Sequence, residues 1–380
     1  MNKISSSSFT IVANGFADGP AQALRDYLIK HKAKRVVTIT HPLVPESEGR
    51  HAIITYENGQ MIEREIKLPN KPPITYMFDP LYPVRVPASD VWFGFNNLAC
   101  ARGLLRRSVR RDSKVVYWAV DFVPNRFGSS VATKVYDAVD RFVSHKVDLR
   151  VELSEAALKG RAEHLKLDEG RMAAGRVVPM GAWLERTPKV ADDAWKKKKI
   201  VYLGHLVERQ GVASLIDSLS ILMDHDTEIT AEIIGSGPLL DTLKQKAKKL
   251  GIGKRITFHG FVESHQEVED ILASGTVAVA PYQVDKDSFT QFADPGKLKA
   301  YLGAYLPIVL TDVPPNAKDL AASGAAIIVK DTPESIADGI EQLLSSKPKY
   351  QNAVAAAKKE AAHFDWEIIL RDALNALGYS

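Results

Sequence analysis

Three short loops in this chain carry residue types suited to holding an anion. Gly204-His205-Leu206-Val207-Glu208-Arg209-Gln210-Gly211 follows a β-branched run at 200–203. Gly235-Ser236-Gly237-Pro238 follows a second run at 229–234, and Asp294-Pro295-Gly296-Lys297 opens a helical pattern over 295–305. Any tight strand-to-helix turn uses glycine, so one such loop says little; three on one sheet edge argue for a phosphate-facing surface. The third loop has the clearest chemistry. Asp294 is read as an N-cap and Pro295 as the first helical residue, where a missing N–H is harmless. Gly296 removes a side chain from the free amides of a helix end, which carries about half a positive charge, and Lys297 adds a cation.

A second kind of chemistry needs a carboxylate. Asp121 follows a buried-looking strand at 115–120 and precedes Pro124, a placement that suits a general base or a ligand for a hydroxyl. Asp18-Gly19-Pro20 opens another helix and is expected to line the same cleft. His145 and His205 are further candidates, although a lone histidine is usually a hydrogen-bond partner. Asp285-Lys286-Asp287 has the spacing of a divalent-metal pair, but two acids in a charged loop read better as solvated; no metal is expected. The single Cys100 excludes a disulfide scaffold and a cysteine-built zinc site.

These residues have to be positioned by an alternating pattern of strands and helices. Strands are expected at 11–14, 36–40, 74–78, 91–93 and 115–120, with a hairpin of 51–56 and 61–66 about Asn58-Gly59. Helices are expected at 20–31, 96–111, 129–141 and 154–164. A second series of strands covers 200–203, 229–234, 256–258, 277–280, 308–311 and 325–329. The pattern predicts an α/β protein of two Rossmann-like, doubly wound parallel-sheet domains facing a cleft. The expected boundaries are 1–185, a charged linker at 186–199, a second domain at 200–363, and a final helix at 364–380 that crosses back to the first domain. The chain has 380 residues, 45% hydrophobic and 25% charged, with a net charge of +4. That excess is too small to imply nucleic-acid binding. The short serine-rich start is not a secretory signal, and no apolar run is long enough to span a membrane. A cytoplasmic location, at or near the inner face of the membrane, is expected.

The second half resembles the donor domain of GT-B glycosyltransferases, most closely glycosyltransferase family four. The resemblance rests on Tyr202-Leu203-Gly204-His205-Leu206 through Gly211, on Ile233-Ile234-Gly235-Ser236-Gly237-Pro238, and on Phe258-His259-Gly260-Phe261-Val262 with the Pro281-Tyr282 strand end. It also rests on Pro295-Gly296-Lys297-Leu298 through Tyr301-Leu302, followed by Leu306-Pro307-Ile308-Val309. It covers about residues 200 to 330. The family's loop cations are replaced by His205 and Gln210, with Arg209 adjacent. Its paired acids are replaced by Ala300 and Phe292.

The resemblance implies transfer of a sugar from a nucleotide-diphosphate sugar to a glycan or lipid-linked acceptor, as in polysaccharide or glycoconjugate biosynthesis. It implies no cofactor beyond that donor, metal independence, and retention rather than inversion. The donor residues it implies are Gly204, His205, Arg209, Gln210, Gly235, Ser236, Tyr282, Asp294, Pro295, Gly296, Lys297 and Tyr301, with the amides of Gly235 and Gly296 facing phosphate. Asp121 is the catalytic candidate, and Asp18, Gly19 and Pro20 form the acceptor or cleft loop. A nucleotide-sugar epimerase, or a weakened binding module of the same fold, stays open as the alternative. Arg102, Arg106, Arg107, Arg110 and Arg111, with Leu104, Leu105 and Val109 between them, suggest a basic helix face for peripheral contact with an anionic membrane.

Overall fold

The β-branched runs and the helical stretches assemble into two α/β units, Met1–Pro179 with Glu367–Ser380, and Met180–Trp366. The computed structural model describes residues 3–15, 19–41, 51–57, 60–66, 86–109, 113–128, 130–284 and 289–379. The expected strand at 74–78 and the turn Asn58-Gly59 lie outside them.

Unit 1 runs β1 (Ser8–Asn14), α1 (Pro20–Lys30), β2 (Arg35–His41), β3 (His51–Glu57), β4 (Gln60–Ile66), β5 (Val91–Gly94), α2 (Asn97–Val109) and β6 (Lys114–Trp118). It continues with α3 (Val131–Lys146), β7 (Leu149–Glu152), α4 (Glu155–His164) and β8 (Gly175–Val177). Among the described residues its eight strands lie in the order β4-β3-β2-β1-β5-β6-β7-β8. All neighbours are parallel except β2/β3 and β3/β4, so the expected hairpin forms an antiparallel edge.

Unit 2 contains β9 (Lys199–Leu203), α5 (Val212–His225), β10 (Thr230–Ile234), α6 (Leu240–Lys249), β11 (Ile256–Gly260), α7 (His265–Ala273) and β12 (Val277–Ala280). Then come α8 (Gly296–Gly303), β13 (Ile308–Thr311), α9 (Ala317–Ala322), β14 (Ala326–Val329), α10 (Pro333–Leu344), α11 (Lys347–Ala361) and the start of α12 (Trp366–Ala376). The wholly parallel sheet has the order β11-β10-β9-β12-β13-β14. Strand side chains alternate between its faces. Ile200 and Tyr202 pack with Leu215, Leu219, Ile336 and Ile340 from α5 and α10. Val201, Ala278 and Ala280 pack on the other face with Leu298, Leu302 and Leu320 from α8 and α9. A sheet covered on both faces explains why its strands read as unbroken apolar runs.

The division falls at Pro179/Met180. Residues 186–199, expected as a linker, lie in unit 2. There Thr187 and Ala194 are buried, and the Ala194 carbonyl accepts a 2.7 Å bond from the Thr276 hydroxyl. The last helix passes from one unit to the other at Trp366/Glu367. In unit 1, Glu367 meets His31 at 2.6 Å, the Lys114 ammonium donates to the Leu377 carbonyl at 2.8 Å, and Tyr379 packs edge-on against Phe9.

Candidate anion site in the second unit

The strand order of unit 2 reverses direction between β9 and β12, which pair directly through Ile200 and Val277. A parallel sheet binds ligands outside the carboxyl ends of its strands at such a reversal, because the two following loops diverge there. The loops at that point are 204–211 after β9 and the stretch beginning Pro281-Tyr282 after β12.

Lys297, on the first turn of α8, reaches into this point. Its ammonium donates to Gln210 Oε1 at 2.6 Å and to the Tyr202 hydroxyl at 3.4 Å. It sits 4.5 Å from the Tyr202 ring centre and 4.8 Å from that of Tyr282. Aromatic faces attract a cation but do not neutralise it. Among the described residues no carboxylate pairs with this ammonium. Burial, opposed by no neighbouring acid, lowers its pKa to about 7. The Tyr282 hydroxyl beside it is buried with no hydrogen-bond partner among the described residues. Pro295 is the N-cap residue of α8 and no side chain caps the helix, so the Gly296 and Lys297 amides precede the first intrahelical bond. A desolvated cation and, beside it, a hydroxyl with no partner among the described residues thus lie at the reversal point, and the cation belongs to the first turn of α8.

Glycine makes this approach possible. Gly204 has φ +147°, and a Cβ there would lie 2.6 Å from the Lys297 ammonium. Gly211 has φ +68° and ψ 17°, and its absent Cβ would lie 1.6 Å from the Pro281 carbonyl oxygen. Gly211→Ala is thus expected to destabilise the protein by more than the roughly 1–2 kcal/mol that left-handed backbone alone costs a side chain. A urea midpoint that did not move would refute that packing.

Several expected ligands are used otherwise. Asp294 does not cap α8. Its buried carboxylate accepts from the Lys299 ammonium, from Asn316 Nδ2 at 3.1 Å and from the Met180 amide at 2.7 Å. Tyr301 is fully buried; its hydroxyl accepts from the Leu203 amide at 2.8 Å and donates to the Val279 carbonyl at 3.2 Å, fastening β9 to β12. The Gly235 amide donates to the Gly260 carbonyl at 2.8 Å and is not free for phosphate. The bare face of Gly296 is turned to Met180, 3.2 Å from where a Cβ would stand. His205 and Arg209 are exposed, and Ser236 lends only its carbonyl, to the Leu206 amide at 2.9 Å. Tyr202 was missed: a strand-end tyrosine looks like core, and only its place beside Gly204 hinted at a site.

In unit 1, Asp121 is exposed on the loop after β6 and forms an ion pair with Arg126. Its backbone carbonyl accepts from Arg161 at 2.7 Å. Gly19 is the N-cap residue of α1 and Pro20 its first helical residue; Asp18 lies outside the described residues. The described arginines of the basic row are engaged within unit 1. Arg102 is buried over Trp92, Arg106 donates to the Val86 carbonyl at 2.8 Å, and Arg107 pairs with Asp148 at 2.5 Å. The indole face offsets part of the cost of desolvating Arg102. Arg110, Arg111 and Asp285 to Asp287 lie outside the described residues. His145 bonds the Arg141 carbonyl and the Asp168 amide and so has a structural role. Among the described residues there is no cluster of three or more His, Cys, Asp or Glu that could hold a metal ion. No helix among them is long and apolar enough to cross a membrane.

Comparison with known proteins agrees with this geometry. Residues 185–360, which hold the whole reversal point, match the family model "Glycosyl transferases group 1". A 179-residue stretch is 26% identical to a GDP-mannose-dependent alpha-(1-6)-phosphatidylinositol dimannoside mannosyltransferase of Mycobacterium tuberculosis, covering 47% of this chain and 43% of that protein. An uncharacterized glycosyltransferase of Methanocaldococcus jannaschii is 26% identical over 50% of this chain and 46% of its own length. The chain thus spans less than half the length of these curated relatives. Across both units the fold is that of GT-B glycosyltransferases. Sucrose-phosphate synthase from Thermosynechococcus elongatus superposes with a TM-score of 0.73 at 14% identity over 98% of each chain. The Anabaena protein HepE, solved in complex with UDP, gives 0.67 at 13% identity over 98% of this chain and 99% of its own. At these identities the likeness is one of fold, and the chemistry of the second unit has to be argued from its residues.

Proposed function

We propose that the protein is a glycosyltransferase that moves a sugar from a nucleoside-diphosphate sugar to a glycan or lipid-linked acceptor in the cytoplasm. The observation that carries this is the Lys297 site at the strand reversal, a half-buried cation with no acid to balance it among the described residues. When the glycosidic bond to the β-phosphate breaks, negative charge grows on the departing diphosphate. Lys297 and the Gly296 and Lys297 amides are placed to stabilise it, and such preorganised donors act most strongly on charge that develops in the transition state. Charge neutralisation by protein groups is the basis for reading the reaction as metal-independent, and the family resemblance supports retention. Asp121 is assigned to the acceptor hydroxyl, as base or ligand, with Arg126 setting its orientation.

The nucleotide partner is open to a direct test. GDP is favoured by the mannosyltransferase relative and UDP by the HepE complex, so UDP, GDP, ADP and TDP are the panel. One of them is expected to raise the melting temperature, and its sugar conjugate to turn over. Binding should also take up a proton near pH 8. Free Lys297 is largely neutral there, and a bound diphosphate raises its pKa. Calorimetry in buffers of different ionisation enthalpy would read this uptake. Affinity should fall by up to tenfold per pH unit above about 7. Absence of stabilisation by every diphosphate would refute the assignment. Stabilisation without turnover would leave a binding module, the outcome that Ala300 and Gln210 favour.

A further inference from the structure

Unit 1 carries an apolar surface that the proposed reaction does not use. Helices α2 and α3 leave a groove of about 570 Å³ between them, lined by Leu104 and Leu105 from α2 and Val135, Val139 and Phe142 from α3. Leu105 is 55% exposed, Val135 58%, Phe142 52% and, one turn ahead, Val131 76%. At 3.6 residues per turn, Val131, Val135, Ala138 and Phe142 fall within about 60° of arc, a continuous stripe on the outer side of α3.

The charges around the stripe are one-sided. Lys134, Arg141 and Lys146 are exposed on α3. Its two acids are engaged: Asp137 holds His164 at 3.0 Å, and Asp140 is buried against Arg161. On α2, Arg106 is turned to the Val86 carbonyl and Arg107 is balanced by its pair with Asp148, so the basic rim is that of α3. The Asp121 loop packs on another side of α3, away from the stripe. Phe127, 39% exposed, stands edge-on to Tyr136 of α3, and Thr133 ties that loop to the helix through the Gly128 carbonyl at 2.5 Å and the Phe127 amide at 3.2 Å.

We infer that this face docks on an anionic lipid bilayer, with Val131, Val135, Phe142 and Leu105 entering the headgroup–acyl boundary and Lys134, Arg141 and Lys146 meeting the headgroup charges. Charge complementarity selects this occupant. A second copy seated on the groove would oppose like charges, whereas an anionic surface matches the basic rim, and interfacial helices combine these two features. The face differs from that of Arg102, Arg106 and Arg107 on α2, whose side chains are engaged within unit 1. The inference does not depend on the glycosyl-transfer reading.

The test is co-sedimentation of the full chain with phosphatidylcholine vesicles, alone or with about one third phosphatidylglycerol, at low and high salt. The wild type is expected to pellet at least about tenfold better with the anionic vesicles at low salt. Val135→Glu/Phe142→Glu should abolish pelleting, and Lys134→Glu/Lys146→Glu should reduce it strongly. All four side chains are exposed, so both variants should keep the wild-type melting temperature. Sedimentation velocity without lipid is run alongside. Equal recovery with both vesicle types, or unchanged pelleting of the Val135→Glu/Phe142→Glu variant, overturns the proposal. So does a wild-type dimer that this variant converts to monomer without any vesicle binding.

Discussion

Lys297→Met should lower kcat/KM for sugar transfer by about 10²–10³-fold, the effect of deleting one preorganised donor aimed at a developing oxyanion. The loss should appear in kcat as well as in donor affinity, because the charge on the departing diphosphate is greatest in the transition state. The protein should nevertheless stay folded. The ammonium sits against two tyrosine rings and the Gln210 amide oxygen, none of which needs a cation in order to be satisfied. Burial lowers the pKa of this lysine to about 7, below its unfolded value. Between those two values the unfolded chain binds more protons than the native one, so native stability should rise as pH climbs through that window. The Met variant should lack this rise and be the more stable protein at neutral pH. A variant with wild-type kcat/KM would remove Lys297 from the mechanism. One that unfolded outright would show that the cation is structural. Arginine should not rescue turnover, since its planar fork does not fit a space bounded by the bare Gly204 and two rings.

The parts of this structure that sequence reading reached are those where one local rule acts alone. The unit 2 strands are buried on both faces, so Ile200 to Leu203 and Val277 to Ala280 read as apolar runs and fall where expected. The glycine loops were equally visible, because only glycine allows 204 and 211 their close approaches. What was not legible depends on partners distant in sequence. Strand β7 went unseen because two of its four residues are Arg150 and Glu152, charged side chains that look solvated until Arg161 and Ala173 are found beside them. The edge strand β8 is only three residues long. Asp294 reads as an N-cap from its neighbours alone; its real partners are Lys299, Asn316 and Met180. Tyr301 lies in a motif that suggests a ligand, yet its hydroxyl joins two strands. Arg102 to Arg107 read as a basic face because sequence cannot show that Trp92 and Asp148 stand opposite.

The same buried charges carry the second large expectation. Arg161→Met should destabilise the protein by about 3–5 kcal/mol, the range for removing one partner from a buried ionic cluster. The guanidinium, 2% exposed, bonds Glu152 at 2.5 Å, pairs with Asp140, donates to the Asp121 carbonyl, and lies 5.3 Å from the Tyr117 ring centre and 5.2 Å from that of Phe122. Methionine restores part of the contact with those rings but leaves two carboxylates buried without a counter-charge. Even with Arg161 present, burial outweighs its attraction and pushes the Glu152 carboxyl up to about 7. Without it, the Glu152 carboxyl should be pushed further up. A carboxyl whose native pKa exceeds its unfolded value holds its proton in the native state after the unfolded chain has released it. Stability should then fall as pH rises from about 4.5 through 7 and beyond. Urea unfolding should therefore show a much larger deficit for Arg161→Met at pH 8 than at pH 5, and the added changes Glu152→Gln and Asp140→Asn should recover much of it at pH 8. An equal deficit at both pH values would mean that lost packing, and not stranded charge, sets the cost. Asp121 offers an independent reading. It is tethered by Arg161 at its backbone and by Arg126 at its side chain, so a proteolytic cut appearing within residues 121–128 of the variant, at a temperature where the rest stays protected, would place the tether where the hydrogen bonds do.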